Sequence, residues 1–514
     1  MGFNGRSRRV ARMNVIIASL SVLACVIDKP TGNPVPPPPP PPPLAGWHVA
    51  PGGSGNGSGS IGQPWSLAFA FSGANGRIQP GDTVWLHGGT YRGAFVETVA
   101  GSAGKPILFR QYPGERAIID VAFSTSTTTR GDAFVVKGAW TTWWGFEMTN
   151  SDPNRGTNTR ANMIVNDAPN TKYINLIVHD GGIGWYTYAQ FSPVELSGNI
   201  FYNNGWQGPV QGGGHALYLK NDAGPLLVRH NIMFNQYGYG IQVYSEPGDG
   251  ALVNITLDGN VSFNNGSIST QYNTSGNANL LMGGMQPITR GRVLNNLTYF
   301  SPGVGVYNMV MGFENYANVD VAMQNNYVVG GASALTVGFW QTLAANGNEI
   351  FGSDRVMQLK DTVLNGFQWI GNSFHRDPVA TAWQYNGVDY PFVSWRQNTG
   401  LGQTDEVFTT TPATRVFVQP NDYEPGRATV VVYNWGGQSS VNVNLSAVLS
   451  TGASYEIRNV QDLFGSPVAA GTFGGSNVTI PLGGVTPPAP VGGAAHQPPR
   501  TGPDFDVFIV TSSS

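Results

Sequence analysis

Asn199-Ile-Phe-Tyr-Asn-Asn-Gly205 decides the fold, because it returns as Asn231-Ile-Met-Phe-Asn-Gln-Tyr237 and as Asn260-Val-Ser-Phe-Asn-Asn-Gly266. The same opening recurs at Asn175-Leu-Ile-Val, Asn296-Leu-Thr-Tyr, Asn326-Tyr-Val-Val, Asn348-Glu-Ile-Phe and Asn372-Ser-Phe. Successive asparagines stand 24, 32, 29, 36, 30, 22 and 24 residues apart. A solenoid coil of three short strands needs roughly the smallest of these lengths, and loops absorb the rest. Asparagine suits a stacked turn, since its carboxamide bonds the backbone and it tolerates the left-handed region. Between the asparagines lie short runs of β-formers punctuated by glycine, with no helical period. A β-sandwich lacks such a one-coil recurrence. The pattern predicts an all-β chain whose residues 47–405 wind into a right-handed parallel β-helix.

Outside that span the texture changes. Arg415-Val-Phe-Val, Thr429-Val-Val-Val-Tyr, Val441-Asn-Val-Asn-Leu, Tyr455-Glu-Ile-Arg and Phe505-Asp-Val-Phe-Ile-Val510 are short strands separated by turns. They predict a small β-sandwich over residues 406–514, expected to cap the end of the solenoid, with carbohydrate binding as the alternative. At the other end, Arg6, Arg8, Arg9 and Arg12 precede an apolar run from Val15 to Ala24 and then Cys25, the single cysteine. That is a basic region and an apolar region too short to span a bilayer permanently. Val22-Leu23-Ala24-Cys25 resembles a bacterial lipobox. Residues 1–25 are therefore expected to be a lipoprotein-type signal with Cys25 lipidated, and an ordinary signal peptide is the alternative. Residues 26–46 hold the unbroken run Pro36 to Pro43, a polyproline II stalk. The expected product is an exported monomer, at the cell surface or secreted, that meets membrane only through its lipid.

The 514 residues carry 27 basic and 30 acidic side chains, a net charge of −3, and only 11% are charged. Such a balance excludes a nucleic-acid binder, which needs clustered Lys and Arg. No nucleotide loop, zinc pattern or nucleophile elbow occurs.

Gly81-Asp-Thr-Val-Trp-Leu-His-Gly-Gly-Thr-Tyr-Arg-Gly93, followed by Gly104-Lys-Pro-Ile-Leu-Phe-Arg-Gln-Tyr-Pro-Gly-Glu115, resembles the opening coils of secreted bacterial pectate-lyase-like proteins. Trp143-Trp-Gly-Phe-Glu-Met-Thr-Asn150, Asn203-Asn-Gly-Trp206 and Gly214-His-Ala-Leu-Tyr218 are similar to the central coils of one branch. Where that branch has Gly-His-Gly-His, this chain has Gly212-Gly-Gly-His215. The resemblance implies a polysaccharide as partner. It does not choose among lyases, hydrolases, esterases, epimerases and adhesins, because the fold hosts them all.

Strand alignment supplies candidate residues. Ile183-Gly-Trp-Tyr-Thr-Tyr-Ala189 lies over His215-Ala-Leu-Tyr-Leu-Lys-Asn221 and then Tyr239-Gly-Ile-Gln-Val-Tyr-Ser245. With Trp185, Leu217 and Ile241 inward, period two turns Tyr186, Tyr218, Gln242, Tyr188, Lys220 and Tyr244 outward. Aromatic faces stack on sugar rings, and β-elimination from a uronic acid needs a base at C5, a neutralised carboxylate and a proton for the leaving oxygen. Lys220 is the candidate base, Tyr218 the candidate acid, and Arg229 or a bound cation the partner of the carboxylate. Calcium is the candidate cofactor, with Asp222, Glu246 and Asp249 as hard oxygen ligands; solvated turn acids are the plainer reading. His179-Asp180 reads as a variant of the turn slots Asn203-Asn204 and Asn235-Gln236, with Asp180 kept as a candidate acid. His215 shares the parity of Leu217 and is expected inward or at the corner, bonded to backbone, yet within reach of substrate. Glu147, Glu195, Glu246 and Asp249 leave a two-carboxylate glycoside hydrolase open. A glycan-binding or adhesive surface protein is the third class.

Overall fold

The computed structural model describes residues 44–122, 131–155, 160–208, 212–270, 277–361 and 363–513, and the compact unit Ala45–Ser514 carries the architecture. The export segment, Cys25 and the proline run lie outside the described residues.

Among the described residues three sheets of twelve strands each, parallel except for the antiparallel pair Trp383–Tyr385 and Val388–Tyr390 at the end of the second, form a right-handed β-helix. The first runs from Trp47–Val49 to Phe367–Ile370, the second from Phe95–Glu97 to Val388–Tyr390, and the third from Gly89–Arg92 to Glu406–Phe408. A typical coil contributes Val194–Ser197 to the first sheet, Ile200–Tyr202 to the third and Leu217–Leu219 to the second. Its interior is closed by stacked apolar side chains such as Leu196, Phe201 and Leu217, all essentially inaccessible.

The turn from first to third sheet explains the asparagines. One residue adopts the left-handed region (Gly198, His230, Gly259, Asn295, Asn325, Gly347) and the next is the buried ladder asparagine. Asn199, Asn231, Asn260, Asn296, Asn326, Asn348 and Asn372 are linked carboxamide to carboxamide at 2.8–3.1 Å. Each also serves backbone, as when Asn296 donates to the Leu257 carbonyl at 3.0 Å and accepts from the Asn260 N–H at 3.0 Å. Buried amides are costly unless every donor and acceptor is used, and here one side chain satisfies two coils.

Asn175 is not a rung of this ladder. It occupies the left-handed slot (φ 53°), and Leu176 holds the rung position, its N–H bonded to Asn199 at 2.9 Å. The same one-residue shift moves His179 opposite Tyr202, while Asp180 shares the left-handed slot of Asn203, Asn235 and Asn264.

The chain remains in the solenoid through Phe408, since Glu406–Phe408 pairs with Ser373–His375. Beyond it, among the described residues, an antiparallel sheet of five strands and an antiparallel pair, Ser440–Asn444 with Asn477–Pro481, form a sandwich-like lobe. This lobe does not sit on the end of the solenoid. It covers the outer face of the third sheet, where Tyr202, Phe234, Phe263, Tyr299 and Tyr327 pack against Val431, Tyr433, Phe505, Val507 and Ile509. The alternate residues Val430, Val432, Phe508 and Val510 face the lobe's own core. A row of aromatic side chains along the outside of a sheet is a surface that must be covered, and the lobe covers it.

Candidate active-site groove

The outer face of the second sheet carries a groove of about 750 Å3. Strand register places Trp185, Leu217 and Ile241 in one inward row and Tyr186, Tyr218 and Gln242 in one outward row. Those outward residues line the groove with His215, Lys220, Tyr244, Glu246 and Asp249. Tyr186 and Tyr218 stack at 5.4 Å with their planes 25° apart.

Lys220 is 1% exposed and ion-paired with Asp249. Its Nζ also stands 5.0 Å from the Tyr218 ring centre and 5.5 Å from that of Tyr186, so two electron-rich faces and a carboxylate surround one cation. Asp249 is 45% exposed at its side chain, and it connects the sealed Nζ to solvent. Lys220 is the only Lys or Arg among the described residues of the wall. His215 Nδ1 accepts the Tyr239 N–H at 3.2 Å, which places its imidazole proton on Nε2. The backbone bond expected of His215 and its access to the groove therefore hold together.

Not every candidate converges here. Tyr188 lies one residue past its strand, 41% exposed and edge-on to Tyr186 at 4.9 Å, outside the wall. Arg229 sits on the first sheet, bonded to Asp422 of the C-terminal lobe at 3.3 Å; it belongs to the lobe's docking surface and not to the groove. Asp222 is exposed and absent from the wall. Among the described residues no group of three His, Cys, Asp or Glu side chains is placed to hold a metal ion.

Asp180 is committed elsewhere. Its carboxylate accepts from Arg155 at 2.8 Å and from the Val491 N–H at 2.8 Å, clasping the loop that leads to the last strand. His179 bridges Asp180 at 2.8 Å and Glu147 at 3.0 Å and stacks on Tyr202 at 4.6 Å. Burial alone would lower its pKa, but the bonds and charges of Asp180 and Glu147 raise it to about 9. A folded-state pKa above the unfolded 6.5 means stabilisation fully present below pH 6.5 and lost as pH rises through about 9. Thermal melts across that window are expected to show this decline in the parent protein and a flatter profile in His179→Gln.

Phe313 and Glu314 complete the wall; Phe313 meets Tyr244 edge-on at 5.2 Å. Gly283 permits this approach, since a Cβ there would lie 2.5 Å from the Phe313 nitrogen. The signal was present in sequence as Gly283-Gly284 and Gly312 beside two strand ends, one and two coils beyond the strands of Trp185, Leu217 and Ile241.

A family model described as Pel9A-like, right handed beta helix region, matches residues 47–333. Among solved structures, a rhamnogalacturonan lyase is similar at 15% identity, covering 64% of this chain and 87% of its own, with a TM-score of 0.47. The pectate lyase Pel9A is similar at 15% identity over 64% and 75%, with a TM-score of 0.37. A GH136 lacto-N-biosidase from Eubacterium ramulus is similar at 14% identity over 71% and 68%, with a TM-score of 0.41. No curated protein matches the chain.

Proposed function

The chain belongs to the Pel9A-like, right-handed β-helix family, and on that premise we propose that it is an exported polysaccharide lyase that cleaves a uronic-acid-containing glycan by β-elimination in the groove of the second sheet. The observation that carries the reading is Lys220, a buried amine that lines the groove beside the stacked Tyr186 and Tyr218 rings and is coupled to solvent through Asp249. In the reaction Asp249 first draws a proton from the Lys220 ammonium toward water, the neutral Nζ then takes the C5 proton, the C4–O bond breaks as the C4=C5 bond forms, and the Tyr218 hydroxyl gives its proton to the leaving oxygen. The proton taken up by Nζ then returns to the Tyr218 phenolate, which restores both groups. Tyr186, Gln242 and Tyr244 are the wall's hydrogen-bond donors toward the sugar carboxylate. No step is routed through calcium.

A second reading, a glycoside hydrolase, is favoured by one observation: Glu246, Asp249 and Glu314 line the same groove. Incubation with a panel of acidic and neutral polysaccharides separates the two. The expected result is ultraviolet absorbance from unsaturated products of an acidic glycan; reducing ends without that absorbance would transfer the assignment to the carboxylates, and binding with neither signal would make this a glycan-binding surface protein. Tyr244→Ala is expected to weaken substrate binding by about 1 kcal/mol, the scale of an aromatic contact, read as a severalfold rise in KM. Tyr188→Ala is expected to leave KM nearly unchanged, because its ring lies outside the wall. Export, lipidation of Cys25 and a monomeric state complete the proposal, and the enzyme would act where such glycans occur, beyond the cytoplasm.

A further inference from the structure

The aromatic row on the third sheet outruns its cover. Phe351, His375 and Phe408 are successive rungs of the last three strands. Their rings stack at 3.9 Å between Phe351 and His375 and at 5.2 Å between His375 and Phe408. Trp435 of the C-terminal lobe stacks on Phe351 at 4.7 Å with planes 19° apart. Among the described residues no strand follows Glu406–Phe408 in this sheet, so Phe408 is a terminal rung, 38% exposed. Together these rings form the floor of a second groove of about 690 Å3 between solenoid and lobe, within the size range of small-ligand sites.

The floor is held in place before anything binds. Trp435 donates its indole N–H to the Tyr327 hydroxyl at 2.8 Å, and His375 bonds Glu349 at 3.0 Å. Rings fixed in this way lose little freedom when a flat ligand stacks on them. The lip is polar: Thr409, Thr410 and Thr411 are exposed on one side, with Arg376 opposed by Asp377 and Asp504. A ring with an apolar face and a hydroxyl periphery matches such a floor and lip. One arginine against two aspartates disfavours an anionic sugar.

We propose that this groove is a second, non-catalytic carbohydrate site that holds an uncharged pyranose of a glycan chain on Phe408, so that the seam between solenoid and lobe retains polysaccharide while the groove of the second sheet acts on it. The site is independent of the lyase reading, since it lies on another sheet and uses none of the same residues. The test is calorimetric titration of the Lys220→Met protein with cellohexaose, xylohexaose and mannohexaose, each uncharged. At least one hexaose is expected to bind. Phe408→Ala should then weaken that binding about tenfold, Phe408→Tyr should restore it by keeping the ring, and Tyr244→Ala in the other groove should leave it unchanged. Thermal melts of the Phe408 variants verify that the lobe stays docked. Absence of binding by all three sugars, or an unchanged affinity in Phe408→Ala, overturns the proposal, as does binding that is lost only with Tyr244→Ala.

Discussion

Lys220→Met is expected to abolish turnover of an acidic polysaccharide, lowering kcat by a factor on the order of 10² to 10⁴, the range supplied by one positioned acid–base group. KM and the unfolding midpoint should change little by comparison. Methionine retains an apolar stem beside the Tyr186 and Tyr218 rings and removes only the head that reaches Asp249. Tyr218→Phe should lower kcat as well, since it deletes the hydroxyl that supplies the proton while keeping the ring stacked on Tyr186. Initial rates followed by ultraviolet absorbance, with equilibrium binding on the same variants, provide the comparison. An active Lys220→Met enzyme would move the chemistry to Glu246, Asp249 and Glu314.

Replacing Asn296 with leucine is expected to cost at least about 3 kcal/mol of stability, because several buried groups lose partners worth about 1–3 kcal/mol each. The Leu257 carbonyl, the Asn260 N–H and the Asn260 and Asn326 carboxamides each lose a bond made by that one side chain. The preceding residue supplies the control. Asn295 is exposed and left-handed (φ 54°), a conformation glycine adopts freely. Asn295→Gly is therefore expected to lie within about 1 kcal/mol of the parent in urea unfolding. Two adjacent asparagines thus separate the rung from the slot beside it. Equal effects would mean that the ladder bonds are not what holds the coils.

The same distinction sets how far sequence alone could be read. The ladder was legible because buried carboxamides must be satisfied, so one residue type recurs at one place in every coil. Its first coil was misplaced because the left-handed slot also accepts asparagine, and at 175 an asparagine fills the slot while the rung is Leu176. The groove's register was legible from period two, anchored by Trp185, Leu217 and Ile241. That parity holds only within a strand. Tyr188 lies past Trp185–Thr187 and escapes the wall, whereas Lys220, equally past its strand, is retained by Asp249. Arg229 and Asp180 were out of reach for a different reason. Their partners, Asp422 and the Val491 N–H, lie 193 and 311 residues away on the C-terminal part of the chain, and only docking of the lobe brings them together. The lobe's place on the flank was unread for the same cause, although the outward aromatic at 202, 234, 263 and 299 was visible in each repeat.

The measurement that bears most directly on the central claim is the mass balance of a single cleavage. A defined uronic-acid oligosaccharide, incubated with the parent protein and with Lys220→Met, yields two fragments whose masses are summed by mass spectrometry. β-Elimination adds no water, so the account predicts that the two masses sum to that of the intact oligosaccharide, that the fragment from the leaving side of C4 keeps a new hydroxyl while its partner carries the C4=C5 double bond, and that Lys220→Met produces neither. Fragments whose masses together exceed the parent by one water would contradict it.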